Sequence, residues 1–137
     1  MLAPVPSSRR DAAVVPVLGT IAAGIPILAV ENVEMYVPVP EEMAGKSSNL
    51  FALRVRGDSM TGDGILPEDL VVVRQQKVVS NGELAAVLIG EEATVKRVHI
   101  DDGQVTLISS NPLYQPIPIG PDDAQILGKV VGLIRHY

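Results

Sequence analysis

The sequence contains no cysteine and no tryptophan, and it has only two histidines, His99 and His136. Without cysteine there can be no disulfide framework, no thiol nucleophile and no zinc finger. Neither histidine has an Asp, Glu or His partner at a spacing typical of metal ligands, so we predict that both are ordinary solvated or packed side chains. We therefore expect neither a metal site nor a cofactor.

Aromatic residues and positive charge are also scarce. The chain has three tyrosines, one phenylalanine and a formal net charge of -5 at pH 7. Surfaces that stack nucleic-acid bases need aromatic side chains interleaved with cations, and this chain supplies neither. We expect that the chain alone does not bind DNA. Its 137 residues, 47% of them hydrophobic, are typical of one globular domain.

The start of the chain differs from the rest in composition. Residues 1–13 are rich in proline, serine and arginine, which predicts a flexible linker. Residues 12–30 carry no charge and are long enough to span a membrane, but two prolines and two glycines interrupt the run. Its valines and isoleucines favour extended backbone. We therefore predict an apolar arm bent at residues 22–24, with no membrane span, no signal peptide and a cytoplasmic location.

The remaining sequence is patterned for β-strands. Asp102 and Gly103 predict a tight hairpin turn, and the four prolines from Pro112 to Pro121 predict an irregular stretch or an edge. No segment has a convincing helical period, although Pro67 could start one short turn. The fold class is mainly β, built from hairpins and small twisted sheets. Apolar runs predict strands at residues 36–39, 50–55, 70–74, 84–89, 93–100, 105–108 and 126–135.

Ser59 is a candidate nucleophile. It follows Gly57 and Asp58 in a glycine-rich segment, where a tight turn can present the hydroxyl together with backbone N–H groups. The signal is weak alone, because Asp and Ser in such loops often only cap neighbouring backbone groups.

Lys96 is the better candidate for the base, since neither histidine is well placed. Strand alternation puts it on one face with Thr94 and Val98. This pattern alone favours a lysine at the rim of the core, with its ammonium group in water. To act as a base, the lysine would have to be buried and its pKa would have to fall from about 10.4 to roughly 7 or 8.

Three separated motifs together resemble the self-cleaving catalytic domain of the LexA family of repressors, over about residues 14–136. Each motif is weak alone, whereas their agreement in order and spacing is specific. The motifs are VPVLGTIAAG at 15–24, GDSM at 57–60 and TVKR at 94–97, with further matches at Asn111-Pro112 and at residues 128–131.

The resemblance implies a serine endopeptidase with a Ser-Lys dyad that cuts its own chain between Ala23 and Gly24. It implies that Ser59 is the nucleophile and Lys96 the general base, and that the backbone N–H groups of Asp58 and Ser59 hold the oxyanion. The implied peptidase and dimerisation domain spans residues 14–137, of which residues 14–34 form the cleavage-site arm.

The resemblance also implies partners. In the LexA family, RecA filaments on single-stranded DNA stimulate the cut, which derepresses DNA-damage genes. The family dimerises through its last strand, which corresponds to residues 126–135. The family's N-terminal DNA-binding domain has no counterpart in this chain, where linker-like sequence comes first, so we expect that domain to be absent here.

Three alternatives remain. A UmuD-like self-processing subunit of a translesion DNA polymerase would have the same catalytic domain, but residues 1–13 look more like a repressor's linker. A phage-type repressor oligomerisation domain would not cut itself, which the presence of Ser59, Lys96 and an Ala-Gly bond argues against. A signal peptidase shares a related dyad but would need a membrane anchor.

Overall fold

The computed structural model describes residues 12–19, 21, 25–44 and 49–137. Strands dominate these residues, and single 3₁₀ turns occur at Val30–Asn32 and Thr61–Asp63. In chain order the strands and the one α-helical turn are β1 (Ala12–Leu18), β2 (Val33–Pro40), α1 (Glu41–Ala44), β3 (Leu50–Arg54), β4 (Leu70–Gln75), β5 (Leu84–Ile89), β6 (Glu92–Asp101), β7 (Gln104–Ile108), β8 (Ile117–Ile119) and β9 (Gln125–Ile134).

The strands form one sheet in the order β2-β1-β3-β4-β9-β5-β6-β7-β8. Strand β9 connects strands β1–β4 to strands β5–β8, because it is long enough to have two partners. Its residues 128–134 pair with β4, and its residues 125–129 pair with β5. Strands β1 and β3 run parallel, and the other neighbours are antiparallel. The mainly β prediction is confirmed, with one continuous sheet in place of the several small sheets expected.

All seven strands predicted from the sequence are present, with ends that shift by at most three residues. The hairpin turn is also confirmed, with Asp102 and Gly103 at positive φ. Strand β8 occupies the proline-rich stretch at the sheet edge, where Pro118 needs no ladder hydrogen bond from its nitrogen. Strand β1 and helix α1 were not predicted as such.

Successive side chains of the central strands enter different apolar clusters, because they point to opposite faces of the sheet. In β3, Phe51 belongs to one cluster and Ala52 to another, and a third cluster lies among β5, β6 and β7. We call the first one the central cluster. It matters for function because it also contains Ile21 of the arm, Met60 and Val95.

Hydrogen bonds connect the described residues that follow β1. The N–H of Gly19 donates to the carbonyl of Asn32 at 2.9 Å, and the buried Asn32 amide donates to the carbonyls of Pro26 and Ile27. The bend expected at residues 22–24 lies outside the described residues. Within the described part of the chain, no helix is long and apolar enough to cross a membrane.

Gly128→Ala is expected to destabilise the fold more than Gly132→Ala, although both glycines lie in β9. A Cβ at Gly128 would overlap the carbonyl of Arg74 and the side chain of Val73 in the adjacent strand, whereas a Cβ at Gly132 would meet the flexible thioether of Met43. We expect Gly128→Ala to lower the free energy of unfolding by about 1–3 kcal/mol in urea denaturation, and Gly132→Ala by less. Equal losses would contradict this close approach of β9 to β4.

Candidate active site

Ser59 lies in the segment that links β3 to β4, residues 55–69, which we call the Ser59 loop. Its two ends are fastened to each other, because the N–H of Glu68 donates to the carbonyl of Val55 and the N–H of Val55 donates to the carbonyl of Asp69. Gly57 has φ +78°, a conformation that glycine adopts readily. The chain therefore turns sharply just before Ser59.

Lys96 reaches Ser59 from β6. Its Nζ lies 2.9 Å from Ser59 Oγ, although the two residues are 37 positions apart. Only 6% of the Lys96 surface is exposed. The expectation from alternation alone, a lysine at the rim with its charge in water, is therefore wrong, because the amine is enclosed beside Ser59.

The other contacts of the Lys96 amine are with neutral acceptors. Nζ lies 3.3 Å from the hydroxyl of Thr94 and 3.2 Å from the carbonyl of Val95. A neutral amine has two N–H groups and one lone pair, so donating to these two oxygens leaves the lone pair for the hydroxyl proton of Ser59. The geometry therefore suits a neutral lysine that accepts this proton.

Burial lowers the pKa of Lys96 below its ordinary value, because desolvation penalises the ammonium form. The negative charge of Glu92, on the same strand, acts in the opposite direction. No ion pair between described residues includes Lys96. A lysine without a carboxylate partner and with a depressed pKa is what a base near neutral pH requires.

A cleft opens beside Ser59. It is lined by the end of β3 with the following residues, 53–56, and by the start of β6, residues 92–95. This part of β6 pairs with β5 on one edge, while β7 pairs only from Arg97 onward, so the other edge has no strand partner among the described residues. A continuation of the cleft is bordered by Gly19 at the end of β1. An extended peptide can lie along this path.

The loop between β7 and β8 packs against the Ser59 loop. The hydroxyl of Tyr114 donates to the carboxylate of Asp58 at 2.6 Å, a bond that raises the pKa of Tyr114. Asn111 donates from its side chain to the Asp58 carbonyl and from its backbone to the Ser59 carbonyl. From the sequence, Asn111 is known only as part of a matching motif, and Tyr114 carries no signal of a role.

Two ion pairs connect the rest of the Ser59 loop to distant parts of the chain. Asp63 pairs at 2.6 Å with Arg97, the residue after the lysine on β6. Asp69, almost fully buried, pairs at 2.7 Å with Arg135, which also donates to the carbonyl of Gly64. The hydrogen bonds from Arg135 hold the pKa of the Asp69 carboxyl below its usual value. The loop is therefore fixed to three different strands or loops.

The remaining predicted site residues are placed as follows. The N–H groups of Asp58 and Ser59 donate to no other described residue, so both are available to a bound group. Ala23 and Gly24 lie outside the described residues. His99 and His136 are exposed, and the described part of the chain holds no group of three or more residues suited to binding a metal ion.

Comparison with known proteins identifies the relatives of this chain. It is 54% identical over 121 residues to the LexA repressor of Mycobacteroides abscessus, a match that covers 88% of this chain and 53% of that repressor. It is 51% identical over 129 residues to the LexA repressor of Frankia casuarinae, covering 94% of this chain and 49% of the relative. It is 42% identical over 134 residues to the LexA repressor of Leptospira interrogans, a match that covers 98% of this chain and 65% of that repressor.

The chain thus spans between about half and two thirds of the length of these relatives. The family model described as Peptidase S24-like matches residues 16–131, which include both Ser59 and Lys96. Because that match covers most of the sequence, the chain belongs to the peptidase S24-like family.

Proposed function

We propose that this chain is the catalytic domain of a LexA-like SOS-response repressor, a serine peptidase that cuts its own Ala23–Gly24 bond. The observation that carries the proposal is the 2.9 Å contact between Ser59 Oγ and the buried amine of Lys96. The names of the relatives support the repressor role over a UmuD-like one.

In the proposed reaction, the neutral amine of Lys96 takes the proton of Ser59 as Oγ attacks the carbonyl carbon of Ala23. The N–H groups of Asp58 and Ser59 stabilise the resulting oxyanion. Lys96 passes the proton to the nitrogen of Gly24, the C–N bond breaks, and the Ala23 acyl group remains on Ser59 as an ester. Lys96 then deprotonates a water that attacks this ester, and it returns the proton to Ser59 Oγ as Ala23 leaves with a free carboxyl group.

The position of the arm supports attack within one chain. Ile21, two positions before Ala23, is buried in the central cluster, which also contains the neighbours in sequence of both dyad residues. Gly19 borders the continuation of the cleft beside Ser59. The four Cα-to-Cα steps from Gly19 to Ala23 span at most about 14 Å when the chain is extended. A tethered bond at this range makes the attack unimolecular.

Regulation follows from the tethered substrate. The rate depends on how often the arm occupies the cleft, so a partner that favours the docked arm accelerates the cut without adding a catalytic group. In the proposed role this partner is a RecA filament on single-stranded DNA, and the cut derepresses DNA-damage genes. The net charge of -5 supports our proposal that contacts with operator DNA belong to other parts of the repressor.

We extend the proposal to a homodimer formed through β9. The resemblance points to residues 126–135. Residues 125–129 already pair with β5, whereas residues 130–134 pair, within the described part of the chain, with β4 alone. The free edge is therefore the second half of the strand, where the same segment of a second copy can add as an antiparallel neighbour.

The purified chain, incubated alone, is expected to cut itself into fragments 1–23 and 24–137, faster near pH 10 than at pH 7 because Lys96 is then neutral. Intact mass spectrometry follows the reaction. Ser59→Ala and Lys96→Ala should slow it by roughly 10³-fold or more, because each removes a reacting group. The rate constant should not depend on protein concentration.

Ser80→Ala and Lys77→Ala are matched controls, since both residues are exposed and lie outside the cleft. They should cut at the wild-type rate. The proposed catalytic dyad would be contradicted by a wild-type chain that stays whole at alkaline pH. It would also be contradicted by a Ser59→Ala variant that is cut at the wild-type rate.

Lys96→Met is expected to be inactive yet more stable than the wild type at neutral pH. Burial lowers the pKa of Lys96 in the native state, while the unfolded chain keeps a value of about 10.4. Between these two values the unfolded state binds more protons, so wild-type stability rises with pH, and the variant lacks this rise. In urea denaturation the difference in free energy of unfolding between Lys96→Met and the wild type should be largest near pH 7 and should narrow toward pH 10. A gap that does not change with pH would contradict a lowered pKa.

Amide hydrogen exchange tests the dimer without a substitution. Alternate N–H groups in residues 130–134 are expected to become protected as the protein concentration rises, because the partner strand then covers the free edge. Residues 84–89 of β5, which pair on both sides within one chain, are the internal control and should be protected at every concentration. Suppose that light scattering shows the mass doubling with concentration while the exchange rates of residues 130–134 stay constant. The dimer interface would then lie elsewhere.

A further inference from the structure

We propose that Asn111 is a positioning residue that sets the orientation of Ser59 and of the backbone N–H groups beside it. The inference rests on the proposed function and adds to the dyad a residue from a distant loop. Asn111 lies between β7 and β8, and no part of its side chain touches Lys96 among the hydrogen bonds of the described residues.

Asn111 holds the peptide groups on both sides of Ser59. Its Nδ2 donates to the carbonyl of Asp58 at 3.0 Å, and its backbone N–H donates to the carbonyl of Ser59 at 3.1 Å. A peptide group is planar and trans, so its carbonyl and the following N–H point in opposite directions. Fixing the Asp58 carbonyl therefore fixes the N–H of Ser59, and fixing the Ser59 carbonyl fixes the N–H of Met60.

Two fixed peptide planes also determine the backbone dihedral angles of Ser59 between them. These angles set the direction of its Cα–Cβ bond, after which only χ1 remains to place Oγ. The hydroxyl must lie within hydrogen-bonding reach of Lys96 and must also face the scissile carbonyl. A shift of about 1 Å in such an arrangement can reduce a rate by 10²-fold.

The Asn111 amide is itself held in one orientation. Its Oδ1 accepts the N–H of Leu113 at 3.0 Å, a bond that only the oxygen of the amide can accept. Nδ2 must therefore face the Asp58 carbonyl. The carbonyl of Asn111 accepts the N–H of Tyr114, whose hydroxyl returns to the carboxylate of Asp58.

The Ser59 loop and the loop between β7 and β8 are in close contact. A Cβ added to Gly62 in the Ser59 loop would overlap the backbone of Ser110, the residue before Asn111. By contrast, residues 112–118 are exposed, and Asn111 belongs to none of the three apolar clusters. The contacts of Asn111 thus serve the Ser59 loop and contribute little to the core.

Self-cleavage rates of Asn111→Ala and Asn111→Asp, measured from pH 7 to pH 10.5, test this role. Asn111→Asp keeps an acceptor for Leu113 but turns a carboxylate oxygen toward the Asp58 carbonyl. Both variants should lower the plateau rate by about 10- to 100-fold. In Asn111→Ala the midpoint of the pH–rate profile should stay where it is in the wild type, because no charge near Lys96 changes. In Asn111→Asp the added carboxylate should move the midpoint only upward, as a negative charge favours the ammonium form.

Labelling of Ser59 by a small fluorophosphonate gives a second readout that does not need the arm. Both variants should label more slowly than the wild type, since the same oxyanion donors assist this reaction. Labelling at the wild-type rate would show that Asn111 acts on docking of the arm and would overturn the proposal. The proposal would also be overturned if the loss of cleavage rate in the variants matched the fraction of unfolded protein measured in thermal melts.

Gln104→Ala is the matched control, because it also removes an amide that donates to backbone carbonyls, those of Val105 and Ile119. It should cut at the wild-type rate. A wild-type chain that fails to cut itself refutes the proposed function. If the wild-type chain cuts itself, two results refute only the role of Asn111: Asn111 variants that cut within about twofold of the wild type, or a shifted pH midpoint in Asn111→Ala.

Discussion

The chemistry proposed for this site depends on the burial of one lysine amine against one hydroxyl. Within the described residues the amine of Lys96 forms hydrogen bonds only with neutral oxygens, those of Ser59, Thr94 and Val95, and the charge of Glu92 stabilises its ammonium form less than desolvation penalises it. Desolvation therefore favours the neutral form, the one that can remove a proton. This environment exists only while the Ser59 loop stays closed over β6. The site is thus assembled by tertiary packing, and its chemistry is inseparable from that packing.

Three long-range connections keep the Ser59 loop closed. Asn111 holds the Ser59 backbone from the β7–β8 loop, Asp63 pairs with Arg97 on β6, and Asp69 pairs with Arg135 after β9. The last connection joins the loop to the end of the strand that carries the proposed dimer edge. The end of β9 is therefore connected to the loop that carries the nucleophile through a single ion pair.

The sequence predicts the strands well and the site only in part. Periodicity and turn residues locate seven strands and the turn at Asp102 because these signals are local. Alternation places Lys96 on the same face as Thr94 and Val98, but it cannot tell that the amine is buried, since its partner Ser59 comes from 37 residues earlier. For the same reason the bonds from Asn111 to the Ser59 loop, across about fifty residues, leave no pattern in either segment. Only the resemblance links Ser59 to Lys96 before the structure does.

The place of β1 in the sheet has a consequence for the products. Strand β1 lies between β2 and β3, with Val15 and Val17 fully enclosed, and the proposed cut after Ala23 would put this strand on the shorter fragment. Breaking the peptide bond would remove none of its ladder hydrogen bonds. The two pieces would then remain a non-covalent complex until the strand is withdrawn from between β2 and β3. Chemistry and separation are distinct events, and the second has its own barrier.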